Sequence, residues 1–276
     1  MKIVLLSSDN REILRRYGEP DPIIPPPQEA LLQGFAKLPE AEVHMVSCVQ
    51  QPVKSPERLA WGSNIYYHSV DVPKLGWMRT LYQGCIRAVR KKMREIQPDI
   101  VHGQGTERDC AISAVFSGFP NVLTIHGNMR ALAAYHHSRP ASFLWLAARL
   151  EQFALPRTTG VFCNSAYTEG LVAPVARKVW RVPNPIRLPF FDAPMEAAVR
   201  RPILLNVGVL ASYKRQREIL ALARNLWRRG MKFEIHFAGS RGDRNDYGGA
   251  FARELAEAEH AGYARHLGNL DTAGLI

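Results

Sequence analysis

The chain is poor in cysteine, in acid relative to base, and in long apolar runs. Only four cysteines occur among 276 residues: Cys48, Cys85, Cys110 and Cys163. None stands in CxxC or metal-ligand spacing, which excludes a disulfide scaffold or zinc module of ordinary pattern and leaves reduced thiols of a cytosolic protein as the expectation. No stretch approaches the ~18 to 20 apolar residues of a membrane span. The most apolar stretch, residues 141–148, is far too short. The opening Met1-Lys2-Ile3-Val4-Leu5-Leu6 soon meets Asp9 and Arg11, so it lacks the length of a secretory signal. Aspartate and glutamate number 25 against 36 lysines and arginines, a formal charge of +11. That shortage of negative charge favours an anionic partner: nucleic acid, an acidic membrane face or a phosphorylated substrate.

What is present is an ordinary folded composition, with 46% hydrophobic and 22% charged residues. This excludes a disordered chain or a collagen-like fibre. The length corresponds to about two domains. Short apolar runs at 2–7, 42–49, 99–102, 122–126, 160–164 and 179–182 predict strands. Periodic segments at 28–38, 77–96, 109–117, 139–153 and 166–173 predict helices between them. Residues 9–27 predict a loop. Regular alternation of strand and helix is the pattern of a doubly wound parallel sheet. A proline-rich segment from Pro183 to Arg201 interrupts it. The alternation then resumes, with strands at 203–207, 233–238 and 265–267 and helices at 212–229 and 249–260. The reading is α/β, with two Rossmann-like doubly wound parallel-sheet domains. The first spans 1–182, a linker 183–202, and a second, incomplete domain 203–276.

Two places carry chemistry. In the first, a strand runs into Gly208 and then into a helix predicted to be capped by Ser212. Lys214, Arg215 and Arg217 fall in its first turns. Cations there oppose the helix dipole by roughly 0.3 to 1 kcal/mol each, a cost that a bound phosphate reverses. The bland alternative is that these side chains extend into water. In the second, His126 and Gly127 end the strand at 122–126, where ligands bind in open α/β sheets. His102, Gly103 and Gln104 repeat the arrangement one strand earlier. A histidine there can contact a sugar or phosphate oxygen, or serve only as a hydrogen-bonded strand end.

Pro98-Asp99-Ile100-Val101-His102, residues 122–127, Asn164-Ser165, Val182-Pro183-Asn184, Asn206-Val207-Gly208 to Lys214, and Phe237-Ala238-Gly239 follow one another in an order that resembles family 4 glycosyltransferases. The resemblance implies the GT-B architecture, two Rossmann-like domains with the site in the cleft. It implies transfer of a sugar from a nucleotide diphosphate sugar to an acceptor with retained anomeric configuration, without cofactor or essential metal. The acceptor class is a polysaccharide, lipid-linked or other glycan precursor, as in cell-envelope glycan synthesis. Lys214 then contacts the donor diphosphate together with Gly208 and Arg215, and His126 is the catalytic-site histidine near the donor sugar. His102, Gln104, Gly127, Asn184 and Gly239 are further cleft candidates.

The chain also departs from the family pattern. Val209 stands where an arginine usually follows the glycine, and Gln104 replaces a second histidine. Ile24-Pro25-Pro26-Pro27-Gln28 occupies the place of paired glycines. The family's glutamate-rich donor motif is expected beyond Ile276, with roughly 100 further residues at 25 to 30 per strand–helix unit. The segment 79–94 is strongly basic and reads either as a solvated helix face or as contact with an anionic membrane, the latter making a cytoplasmic protein peripheral on the inner face of the plasma membrane. Rival readings are a non-catalytic remnant acting as a binding module and a basic nucleic-acid binder. The latter is disfavoured because no zinc spacing, RNP-like motif or basic zipper is present, and no nucleic acid is expected as partner.

Overall fold

A computed structural model describes residues 1–73, 77–193, 202–240 and 246–276. The chain divides into two compact units, residues 1–188 and 189–276.

Unit 1 is built on a seven-stranded parallel sheet. Its elements are β1 (Lys2–Leu6), α1 (Asn10–Leu14), α2 (Pro26–Phe35), β2 (Glu42–Val49), β3 (Ile65–Asp71), α3 (Gln83–Ile96), β4 (Ile100–Gln104), α4 (Asp109–Val115), β5 (Asn121–Ile125), α5 (Met129–Tyr135), α6 (Phe143–Ala154), β6 (Gly160–Cys163), α7 (Ala166–Val172) and β7 (Val179–Arg181). The strand order is β3-β2-β1-β4-β5-β6-β7. The order reverses beside β1, so the crevice at the strand ends opens there. Val4, Leu5 and Leu6 are almost completely buried. One core packs between the sheet and α3, α4 and α6, and another under α2.

Unit 2 contains α8 (Pro189–Asp192), β8 (Ile203–Val207), α9 (Gln216–Arg228), β9 (Glu234–Ala238), α10 (Asp246–His260), β10 (Ala264–Gly268) and α11 (Thr272–Leu275). Its parallel sheet has the order β10-β9-β8 among the described residues. Its core joins α9 and α10 to β9 through Leu220, Ala223, Phe237, Phe251 and Leu255.

Several sequence expectations are corrected. The loop expected at 9–27 contains α1, capped by the buried Asp9, whose carboxylate also accepts from Arg11 and the Tyr67 hydroxyl. Strand β3 and helix α5 were not expected. The expected helix 77–96 begins at Gln83, because Leu81 and Tyr82 both adopt left-handed backbone with φ of 51° and 59°. Arg79 therefore precedes the helix, and Leu81 is exposed while Ile86, Val89, Met93 and Ile96 form its buried face. The helix expected at 212–229 begins at Gln216. Residues Ser212–Lys214 form a separate 3-10 turn, no side chain caps α9, and Arg215 between the two has φ 57°. Of the proline-rich connection, residues 194–201 lie outside the described residues, while Leu188 N–H donates to Gln33 Oε1 within unit 1.

Candidate functional site

In unit 1 the ends of β4 and β5 bring three predicted residues into one network. The Thr124 hydroxyl, 2.7 Å away, and the Gln104 Nε2 amide, 3.1 Å away, donate to His102 Nε2. The oxygen of the same Gln104 amide lies 3.0 Å from His126 Nε2 and accepts from it. Gln28 of α2 closes the other side, its amide nitrogen 3.0 Å from the same ring nitrogen. The Gln104 oxygen calls for a proton on His126 Nε2 and the Gln28 amide nitrogen for a lone pair there, so the tautomer with its lone pair on Nδ1 requires the Gln28 amide to be turned to present Oε1, which is buried and unpartnered as placed. That Nδ1 is buried and has no hydrogen-bond partner among the described residues. Burial lowers the pKa of His126, and burial with the neighbouring His126 lowers His102 to about 4. Both rings are therefore neutral near pH 7, and with the Gln28 amide turned the free Nδ1 of His126 is an acceptor.

His126 lines a cavity of about 350 Å³ together with Gln28, Gln104, Glu107, Arg108 and Asn184. A smaller cavity of about 180 Å³ adjoins it, lined among others by His102, His126, Phe162 and Asn184. Gly127 follows His126 beneath Met129, and the Asn128 side chain caps α5 through Ala131 N–H at 2.7 Å. Buried Glu151 of α6 holds both strand-end loops. It accepts from the Thr106 hydroxyl at 2.6 Å and from Met129 N–H at 2.9 Å.

Four contributors escaped the sequence reading. Glu107 reaches into the His126 cavity, and burial pushes its carboxyl up against the opposing effect of backbone N–H donors. Gly105 permits this, because at φ 86° a β-carbon there would stand 2.0 Å from Glu107 Oε2. Arg108 follows in the same loop. The signal was available: Thr106 to Asp109 follow a strand end in a parallel sheet. Gln28 sits two residues into α2, whose first turn begins with Pro26 and Pro27. The triple-proline segment thus supplies an amide where the family pattern has paired glycines. The fourth contributor, Gln216, belongs to unit 2.

In unit 2 Gly208 and Gly239 lie back to back. Gly208 N–H donates to Ala238 oxygen at 2.8 Å, and a β-carbon on Gly239 (φ 147°) would stand 2.0 Å from the Gly208 carbonyl oxygen. Buried Gln216 shapes the turn between them and α9, donating to the Val209 carbonyl at 3.0 Å and accepting from Ala211 N–H at 3.3 Å. Lys214 is exposed and forms no ion pair among the described residues, its ammonium lying 5.6 Å from the Tyr213 ring centre. Arg215 pairs loosely with Glu218 at 3.5 Å. Arg217 is committed elsewhere, to Glu254 of α10, so it does not stand in for the arginine that Val209 replaces.

Ligating side chains distant in sequence also meet. Cys48, Cys85 and Asp109 bring two sulfurs and a carboxylate oxygen within 4.8 Å of one another in the core of unit 1. The hydrogen bond with Cys85 and burial push the Cys48 thiol up, and burial raises the Asp109 carboxyl. The trio is a buried, hydrogen-bonded core contact. All four cysteines are free and buried.

A seven-stranded parallel sheet with strand-end polar groups, followed by a second parallel α/β unit with a glycine-lined turn, is the GT-B fold. The matches to solved structures agree. Sucrose-phosphate synthase from Thermosynechococcus elongatus superposes with TM-score 0.58 at 15% identity, over 98% of this chain and 71% of that one. HepE of Anabaena, solved with UDP and glucose, gives 0.59 at 14% identity over 98% and 70%. UDP-GlcNAc 2-epimerase from Methanocaldococcus jannaschii gives 0.52 at 11% identity over 100% and 75%. These likenesses define the fold, which transferases and an epimerase share. No curated protein matches the chain. The family model of Glycosyltransferase Family 4 matches residues 29–189, more than half of the sequence. The chain belongs to that family, and its role is glycosyl transfer. Among the described residues, no helix is long and apolar enough to cross a membrane.

Proposed function

We propose that the protein transfers a sugar from a nucleotide diphosphate sugar to a glycan or lipid-linked acceptor with retention of anomeric configuration. The observation that carries this reading is the His126 cavity, with a buried unpartnered Nδ1 in a chain of family 4. A neutral imidazole held on one edge by Gln104 and Gln28, with its proton on Nε2 and both amide oxygens facing it, presents an acceptor Nδ1 to a sugar hydroxyl. Such preorganised contacts accelerate reaction when they strengthen as charge develops. Lys214, Arg215 and the Gly208 turn serve the donor diphosphate, where negative charge grows as the sugar departs. Gly127, His102 and Asn184 shape the sugar and acceptor side, Gly239 keeps the donor turn open, and neither metal nor cofactor is required. Among the described residues Gln28 Oε1, in the lining of the same cavity, is also buried without a partner, while the Ser113, Asn121 and Ser142 oxygens lie apart from it.

The test is calorimetry with nucleotide sugars, followed by NMR of the product anomer. Lys214→Ala should weaken donor binding about tenfold, the loss of one charge-assisted contact of about 1.4 kcal/mol. Unchanged affinity would remove Lys214 from the donor site. His126→Ala should lower turnover with little change in thermal stability.

The exposed basic face of α3, with Arg87, Arg90, Lys91 and Arg94, supports peripheral attachment to an anionic membrane in the cytoplasm. Flotation with anionic liposomes and not with neutral ones is the expected result. Nucleic acid is no partner in this reading. A second reading, a binding module without transfer, is favoured by the exposed β8 and by Val209 in place of the usual arginine. A donor hydrolysis and transfer assay separates the two.

A further inference from the structure

A second cavity of about 350 Å³ lies beside the His126 cavity in unit 1. Gln50, Trp77, Met78, Arg79, Tyr82, Arg108 and Phe143 line it. Arg108 belongs to both cavities.

The aromatic wall is fixed. Trp77 and Tyr82 are buried and meet edge to face, with ring centres 6.4 Å apart. The Trp77 indole N–H donates to the Val72 carbonyl at 3.2 Å. The consecutive left-handed residues Leu81 and Tyr82 hold this turn, a conformation that costs about 1 to 3 kcal/mol per residue and persists only where the surroundings impose it.

The charge is one-sided. Among the described residues, neither Arg79 nor Arg108 forms an ion pair with a carboxylate. The nearby acids are engaged. Glu12 accepts from the Tyr17 hydroxyl at 3.0 Å and from Gln50 N–H at 2.8 Å. Asp109 is buried against Cys48, and Glu107 accepts backbone N–H groups. Two guanidinium groups supply two hydrogen-bonding forks. A carboxylate has oxygens for one fork, a phosphate for both. The remaining wall is mainly apolar, and Phe143 in it stays exposed.

We propose that this cavity binds a phosphate-bearing amphipathic molecule, with its anion on Arg79 and Arg108 and its apolar body against Trp77, Met78 and Phe143. The shared Arg108 brings that molecule next to His126, which makes it the acceptor. The acceptor assignment rests on the glycosyl-transfer reading above; the binding does not.

The experiment titrates the 276-residue chain with decyl phosphate below its micelle concentration, with decyl glucoside and with inorganic phosphate, following tryptophan fluorescence and calorimetry. Decyl phosphate should bind at least about tenfold more tightly than either of the others, a difference of about 1.4 kcal/mol. Arg79→Gln and Arg108→Gln should each weaken decyl phosphate about tenfold and leave decyl glucoside unchanged. Phe143→Ser, at an exposed position, should weaken both decyl ligands alike. Circular dichroism identifies any variant that fails to fold, and Arg79→Gln, outside the core, keeps the test open. Equal affinity for inorganic and decyl phosphate would overturn the amphipathic ligand in favour of a free-anion site. Decyl phosphate binding insensitive to both arginine variants would overturn the site itself. Binding as described, in a chain that takes up no nucleotide sugar, would retain the cavity's ligand and overturn its role as acceptor.

Discussion

The two units begin their sheets with nearly the same kind of strand and treat it oppositely. Strand β1, Ile3-Val4-Leu5-Leu6, is paired on both edges, to β2 and β4, and its side chains are 0–6% exposed. Strand β8, Ile203-Leu204-Leu205-Asn206-Val207, pairs with β9 alone, and Leu205 and Val207 are 53% and 56% exposed. A run apolar on both faces is the signature of a strand buried from both sides. In unit 1 the neighbours that meet that requirement are present. In unit 2 the described residues leave it unmet, and a flat apolar edge of this kind invites pairing. An apolar strand pattern therefore specifies a need for burial, and the rest of the fold decides whether it is met.

The contrast can be broken or sharpened by measurement. The largest effect is expected at the buried pair of Asp9 and Arg11, 2.7 Å apart with both side chains fully buried. Arg11→Met leaves Asp9 uncompensated and should cost about 3 to 5 kcal/mol in urea unfolding. The half-exposed Arg217–Glu254 pair of unit 2 should yield a clearly smaller loss when Arg217 is replaced, because solvent screens it. Next, Leu5→Ala should cost about 2 to 5 kcal/mol, and Leu205→Ala under about 1 kcal/mol. A Leu205→Ala cost equal to that of Leu5→Ala would mean that β8 is covered in solution, and the contrast between the units would vanish.

Acid should also act on unit 1. Histidine in an unfolded chain titrates near 6.5. Burial lowers both His102 and His68 to about 4 in the fold. Between those values the unfolded chain binds more protons, so stability is complete above about pH 6.5 and drains away as pH falls toward 4. The loss should be on the order of 3 kcal/mol for His102 and clearly smaller for the half-buried His68, which solvent screens. It should shrink in His102→Asn, and urea midpoints at pH 7.5 and pH 5 measure it. A His102→Asn variant as acid-sensitive as the parent would assign the effect to other groups. Gly239→Ala should cost about 1 to 3 kcal/mol from collision with the Gly208 carbonyl. Its sharper readout is donor affinity, which should fall as the turn before Lys214 is displaced. Unchanged affinity would separate that turn from the donor site.

Much of this was legible beforehand. The strands at Glu42–Val49, Ile203–Val207 and Glu234–Ala238 announce themselves by apolar runs of strand length. His102, Gln104 and His126 could be paired in advance because adjacent parallel strands end at the same edge. Strand β3, Ile65-Tyr66-Tyr67-His68-Ser69-Val70-Asp71, was obscured because its polar and aromatic residues read as no simple period. The starts of α3 and α9 were misplaced for one physical reason. Non-glycine residues in left-handed backbone, Tyr82 and Arg215, break the helix without any glycine or proline to mark the break. Gln28 and Glu107 were missed because their importance comes from what they touch across the chain.

Composition and periodicity alone determined the class: an α/β chain of two parallel-sheet units, basic, low in cysteine, with strand-end histidines. These properties are local, since burial pattern and chain reversal are written within a few residues of each other. Tertiary structure alone decided that His126 keeps an unpartnered Nδ1, that Arg217 is taken by Glu254, and that Cys48, Cys85 and Asp109 meet. It also decided that Arg79 and Arg108 share a cavity. Each of these depends on side chains tens of residues apart reaching the same few ångströms. That coincidence is fixed by sheet order and helix packing, and no local pattern encodes it.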